Sequence, residues 1–183
     1  MVTRPMQSGR SLYIVRTDRW YIERIVWLLA GIVLSTSSLL AFFVNPYFIL
    51  FVSLSGLVSI NVAVNGLCPV GSVHKFFGFS GALESPRSAA GPFYRMQTDA
   101  WFLERRIYMT VGVNVLIGST LVLLHSLWWC LFTGFVGVAM LWFASTGFCI
   151  LANLLYWIGA EPRLKPPRDS ADGRTVDALR RIP

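Results

Sequence analysis

Residues 25–73 read IVWLLAGIVLSTSSLLAFFVNPYFILFVSLSGLVSINVAVNGLCPVGSV, and nothing between Ile25 and Val73 carries a formal charge. A second such run, from Ile107 to Ala160, reads IYMTVGVNVLIGSTLVLLHSLWWCLFTGFVGVAMLWFASTGFCILANLLYWIGA, with neutral His125 its nearest approach to a charge. A membrane-spanning helix needs roughly 20 apolar residues at 1.5 Å rise each, so each run is too long for one span and right for two. Val44-Asn45-Pro46 breaks the first run and His125-Ser126-Leu127 the second. Pro46 suits the first turn of a new helix, where its missing N–H has no partner to lose. The pattern predicts helices at about 21–43, 46–65, 102–124 and 127–147.

Composition agrees. Of the 183 residues 55% are hydrophobic and 14% charged, against about a quarter charged in an ordinary soluble domain. The apolar content excludes disorder, and 3 Cys exclude a disulfide scaffold. The net charge of +7 would suit nucleic-acid binding, but its placement explains it otherwise. All 16 Lys and Arg precede the first run, follow the second or lie between the two. Arg4, Arg10, Arg16, Arg19 and Arg24 come first; Lys75, Arg87, Arg95, Arg105 and Arg106 lie between; Arg163, Lys165, Arg168, Arg174, Arg180 and Arg181 follow. Basic residues stay on the cytoplasmic side, so both termini and the middle loop are expected there, beside anionic headgroups that attract them. No nucleic-acid partner is expected. The first apolar run is too long, and starts too late, for a cleavable signal peptide.

The two halves are related. An offset of 81 residues lays Thr17-Asp18-Arg19-Trp20-Tyr21-Ile22-Glu23-Arg24 over Thr98-Asp99-Ala100-Trp101-Phe102-Leu103-Glu104-Arg105 without a gap. Gly31 meets Gly112, Ser38 meets Ser119, Gly56 meets Gly137, Gly66-Leu67-Cys68 meets Gly147-Phe148-Cys149, and Gly78 meets Gly159. Apolar composition can match Leu with Val by chance, but not Trp, Glu-Arg, Cys and four Gly in register. A two-span unit starts and ends on one side, so both copies share one orientation and are related by an axis along the membrane normal. The expected fold class is all-α integral membrane: four transmembrane helices as two parallel repeated two-helix units, with short interfacial helices and pseudo-two-fold symmetry. It resembles a two-span homodimer fused into one chain. The division is 1–19, a cytoplasmic segment; 20–79, the first repeat; 80–97, a cytoplasmic linker; 98–160, the second repeat; and 161–183, a Pro- and charge-rich tail read as disordered.

Asp18 and Asp99 suit helix N-caps, and Trp20, Tyr21, Trp101 and Phe102 follow at headgroup depth, as an aromatic belt requires. Glu23-Arg24 and Glu104-Arg105 lie about one turn inside the helix starts. They read as snorkelling anchors, or else as charges flanking a cytoplasmic mouth for anions. Gly31-x-x-x-Ser35, Ser55-x-x-x-Ser59 and Thr133-x-x-x-Gly137 put small residues on one helix face, where backbones can approach. Gly66 is expected to end the second span and Pro69 to open a short helix. Val70, Val73, Phe76 and Phe77 share one face of it, as in a helix lying along the interface.

Cys68 and Cys149 then occupy equivalent places at the starts of the two short helices. A thiol at a helix N-terminus is expected to have a lowered pKa and a reactive thiolate; the alternative is a small packing residue. A disulfide is not expected on the reducing side, nor a metal from two Cys without further ligands. Cys130 faces Ile49 under the offset and reads as packing. His74 and His125 face Leu155 and Val44, at opposite sides of the membrane. There is no Gly-rich phosphate loop, nucleophile elbow or intramembrane carboxylate pair, so neither an enzyme nor a cofactor is expected.

Glu-Arg, then Gly, then Gly-Leu-Cys-Pro and a short apolar helix ending in Gly resembles the YgaP-like transmembrane domain family, over Trp20–Phe79 and again over Trp101–Ala160. Copy two departs from the pattern, with Ile150 where Pro69 stands in copy one. The resemblance implies a bacterial inner-membrane unit of two spans that forms homodimers and is found alone or beside a rhodanese sulfurtransferase domain. It implies handling or translocation of small sulfur species or anions, with Cys68 and Cys149 as relay thiols facing a cytoplasmic sulfurtransferase. The rival expectation is a non-catalytic membrane subunit or assembly partner of a larger complex. Besides the lipid bilayer, a homo-oligomer is the other expected association.

Overall fold

The structure is a computed structural model and describes residues 12–17 and 19–164. Four helices are long and apolar enough to cross a membrane: α1 (Ile22–Phe43), the segment Pro46–Asn65, α5 (Leu103–Leu124) and α6 (Trp129–Thr146). Pro46–Asn65 opens as a 3-10 turn, Pro46–Phe48, where the Asn45 side chain accepts from the Tyr47 N–H, and continues as α2 (Ile49–Asn65). Short helices follow the second and fourth spans: α3 (Pro69–Phe76) and α7 (Ile150–Trp157). A single turn, α4 (Pro86–Ala89), lies between the halves. Among the described residues there are no β-strands, only three isolated antiparallel bridges. The expected span boundaries hold to within about two residues.

The spans do not pair mainly within their own hairpins. α1 packs chiefly against α6, and α2 against α5, so each half's first span lies against the other half's second. Small residues permit this. A Cβ on Gly31 would lie 2.9 Å from the Leu141 backbone nitrogen, and one on Gly137 2.6 Å from that of Ser35. In the other pair a Cβ on Gly112 would lie 2.9 Å from the Gly56 carbonyl oxygen. Backbones this close give dispersion contact that apolar side chains alone do not, the usual basis of helix association in lipid. Ser38 and Thr133 add a buried hydroxyl–hydroxyl bond of 2.8 Å between α1 and α6. Ser55 and Ser59 instead bond within α2, Ser59 Oγ donating to the Ser55 carbonyl.

At the basic end of the spans, Gly66 and Gly147 close α2 and α6 with φ of 74° and 75°, a left-handed conformation that favours glycine. Each carbonyl then bonds a strand-like segment: Gly66 accepts from the Met96 N–H, and Gly147 from the Val15 N–H. Residues 80–97 are thus more than a linker. Leu83, Tyr94 and Met96 are fully buried, as are Tyr13 and Val15 before α1 and Leu164 after α7. The tail expected to be disordered from 161 contributes Arg163 and Leu164 to the folded unit; residues 165–183 lie outside the described residues.

Candidate functional site

A helix ends with its last four carbonyls unpaired, and in a bilayer such groups need an internal donor. Arg24, in the first turn of α1, supplies it for α6. Its Nε donates to the Ala144 carbonyl at 2.8 Å and its Nη2 to Ser145 at 3.3 Å, while Nη1 donates to Thr17 and Arg19. Arg105, in the first turn of α5, does the same for α2. Its Nε donates to Ala63 at 2.5 Å and Nη2 to Val64, with Nη1 on Thr98 and Ala100. The guanidiniums lie 4.1 Å from the ring centres of Trp20 and Trp101, within cation–π range. A guanidinium offers five donors in a fixed fork, which lysine could not reproduce.

The neighbouring glutamates gather the opposite kind of group. Glu23 accepts from the Ala82 and Leu83 N–H groups at 3.0 and 2.6 Å and from the Tyr94 hydroxyl at 2.6 Å. Glu104 accepts from the Arg163 and Leu164 N–H groups and from the Tyr13 hydroxyl at 2.8 Å. The two sets correspond at the offset of 81: Ala82 and Leu83 on Glu23 answer Arg163 and Leu164 on Glu104, while the tyrosines are exchanged, Tyr94 of the second half serving Glu23 and Tyr13 of the first serving Glu104.

These contacts correct the expectation of charges at a mouth. Glu23, Arg24, Glu104 and Arg105 are 1%, 7%, 0% and 7% exposed. They neither snorkel nor open to solvent, because the orphan carbonyls and N–H groups that need them lie inside. The belt divides likewise: Trp20 and Trp101 are exposed, whereas Tyr21 and Phe102 are buried. Asp99 does not cap α5, whose N-cap is Phe102; its carboxylate pairs with Arg163 at 2.5 and 2.9 Å, and that guanidinium holds the Asp99 carboxyl below its usual range. Asp18 lies outside the described residues.

Cys68 and Cys149 do stand as the N-caps of α3 and α7, but unequally. Cys68 is 1% exposed, and its sulfur accepts from the Gly71 N–H at 3.2 Å. Burial pushes its thiol up, outweighing the lowering by the N–H groups of Gly71 and Val70. The expected low pKa at a helix N-terminus is therefore overturned at Cys68: the dipole is present, but the site is dry. Cys149 is half-buried and makes no cap bond through its side chain. Cys130 is buried in the α6 core. His74 bonds the Val70 carbonyl and His125 accepts from the Trp129 indole N–H. Val70, Val73 and Phe76 of α3 and Phe77 at its C-cap are exposed together, and Lys75 pairs with Glu84 and donates to the Ser88 carbonyl.

The tyrosines were missed by sequence reasoning, although the signal was present. The offset that aligns the halves from Thr17 also lays Tyr13 over Tyr94, four residues further back. No protein-family model, curated protein or solved structure matches this chain.

Proposed function

We propose that this chain is a non-catalytic, four-span module of a bacterial inner membrane that anchors or assembles with another component, with both termini and the middle segment cytoplasmic. The observation that carries the reading is the internal use of its chemical groups. Glu23, Glu104, Arg24 and Arg105 are consumed by backbone groups and tyrosines of the same chain, and Cys68 is sealed. A relay needs an open thiolate, and a mouth needs open charge. The orientation rests on the basic segments, and the repetition of contacts at one offset supports two parallel, YgaP-like units about the membrane normal, an interlocked homodimer made continuous.

Sulfur handling remains the rival reading, favoured by the half-buried Cys149. The test is intact mass of the purified chain after incubation with a persulfide donor, beside cross-linking in native membranes. The module reading expects no sulfur adduct on the folded chain, adducts on the unfolded one, and a cross-linked species lost on removing residues 165–183. That truncation leaves Arg163 and Leu164 on Glu104. Stoichiometric persulfide on Cys149 or Cys68 of the folded chain overturns it.

A further inference from the structure

Asn114 places a carboxamide in the middle of a membrane span. It stands eleven residues past Leu103 and ten before Leu124 in α5, about 15 Å from either end at 1.5 Å rise per residue. The spans hold two other carboxamides, Asn61 and Asn65, and both lie toward the end of α2, where Asn61 donates to the Leu67 carbonyl and accepts from Asn65. A carboxamide has two N–H donors and an oxygen that accepts twice. Among the described residues the Asn114 side chain makes one bond, Nδ2 donating to the Thr110 carbonyl at 2.8 Å. Its oxygen and second N–H stand at a depth where lipid offers neither donor nor acceptor.

The group lies on an outer face. Asn114 is half-buried and shares its side of α5 with Thr110 and Leu121, also half-buried, and with Ile117, 53% exposed. At the offset of 81 its counterpart in α1 is Val33, 40% exposed, the apolar residue that a lipid-facing position calls for. The repeat therefore folds without a carboxamide here, and the second half adds one. Positions 110, 114, 117 and 121 follow at spacings of four, three and four, the seam along which two helices coil.

The carboxamide is its own complement. A second copy of this chain enters the membrane in the same orientation, so its Asn114 lies at the same depth. About a two-fold axis along the membrane normal, each carboxamide donates to the other's oxygen, and one isologous contact satisfies both. A single Asn in such a seam fixes the register of a helix pair, and polar side chains bonding across helices hold spans together in lipid.

We infer that two copies of this chain associate in the membrane through the Thr110–Asn114–Ile117–Leu121 face of α5, with Asn114 paired to Asn114. The inference rests on the membrane-module reading and names a second copy as a component with which the module assembles. The test is energy transfer between donor- and acceptor-labelled full chains, diluted over a range of lipid-to-protein ratios in phosphatidylethanolamine–phosphatidylglycerol liposomes. The wild type should show transfer above that of random proximity, falling with dilution as a dimer dissociates. Asn114→Val, the other half's own residue, should weaken the dimer by about 3- to 30-fold without lowering the melting temperature, and Asn114→Gln should restore part of the loss. In a chain whose own three cysteines are replaced, Ile117→Cys should give a disulfide-linked dimer on oxidation and Val33→Cys should not. If Asn114→Val does not fold, this cysteine pair decides alone. Wild-type transfer no greater than random at every ratio, a dimer equally tight in Asn114→Val, or cross-linking at Val33→Cys in place of Ile117→Cys would overturn the inference. The dimer should persist in a chain cut after Leu164, which separates it from a partner held by residues 165–183. It uses no thiol, so a persulfide adduct that overturns the module reading leaves this result standing, and a monomeric wild type leaves the thiol result standing.

Discussion

Arg24 reaches from the first turn of α1 to the last turn of α6, where its Nε donates to the Ala144 carbonyl at 2.8 Å, 120 residues away in sequence. With Arg105 on Ala63, it fastens each half's first span to the other half's second. Leaving a buried carbonyl without its donor costs about 1–3 kcal/mol, so Arg24→Ala, which strips the carbonyl of Ala144 and loosens that of Ser145, should lower stability by about 2–4 kcal/mol in a detergent thermal or denaturant melt. Arg24→Lys should recover less than half of it, since one ammonium cannot span the carbonyls of Ala144, Ser145, Thr17 and Arg19.

The glutamates make a graded prediction. Glu23→Ala strands the buried Leu83 N–H and the Tyr94 hydroxyl, and frees the part-buried Ala82 N–H, and should cost about 2–4 kcal/mol. Tyr94→Phe removes a single donor and should cost about 1–1.5 kcal/mol. A double-mutant cycle between the two should show strong coupling, because either change alone breaks the same bond.

Two glycines of α6 should behave oppositely. A Cβ at Gly137 would fall 2.6 Å from the Ser35 backbone nitrogen, so Gly137→Ala must push α1 and α6 apart, at about 1–3 kcal/mol. At Gly134 it would meet only Ser38 Cβ at 3.5 Å, an ordinary contact. Gly134→Ala should be neutral or stabilise by up to about 1 kcal/mol through helix propensity.

How much of this was legible follows from what sequence encodes directly. The spans were legible because charge is excluded from lipid, and the short helices because Gly66, Pro69 and Gly147 punctuate them. The exchange of partners was not. α2 and α6 are apolar nearly all round, so their patterns do not say which neighbour they face, and close approach at Gly31 or Gly112 is settled only in three dimensions. Position along a helix predicts depth, which makes Arg24 and Arg105 snorkelling anchors or mouth charges in sequence, whereas the unpaired carbonyls they serve belong to a distant segment. At Cys68 the helix start was legible, but not the burial that reverses its effect, where a segment distant in sequence folds back so that the Tyr94 carbonyl accepts from the Cys68 N–H.

The basic end should make the protein sensitive to alkali. Burial raises the Cys68 thiol above its ordinary 9.0 and holds the Tyr13 and Tyr94 phenols well above 10.0, the nearby glutamates adding to the shift. The unfolded chain therefore loses these protons first as pH rises through about 9–10, while the folded chain keeps them. Stability is full below that window and falls above it. Melting temperature should decline from pH 8.5 to 10.5, and Tyr13→Phe with Tyr94→Phe should flatten the decline while lowering the plateau.

The most direct test of the interlocked pairing is a cross-link between α1 and α6. Ser38 and Thr133 hydroxyls lie 2.8 Å apart, so Ser38→Cys with Thr133→Cys, in a chain whose own three cysteines are replaced, places two thiols within reach of a disulfide. A protease site inserted beside exposed Ala90 lets the halves be cut apart in the membrane after oxidation. The account predicts that the cut halves run as one species on a denaturing gel without reductant and as two with it. Halves that separate under both conditions, although the thiols were oxidised, would contradict it.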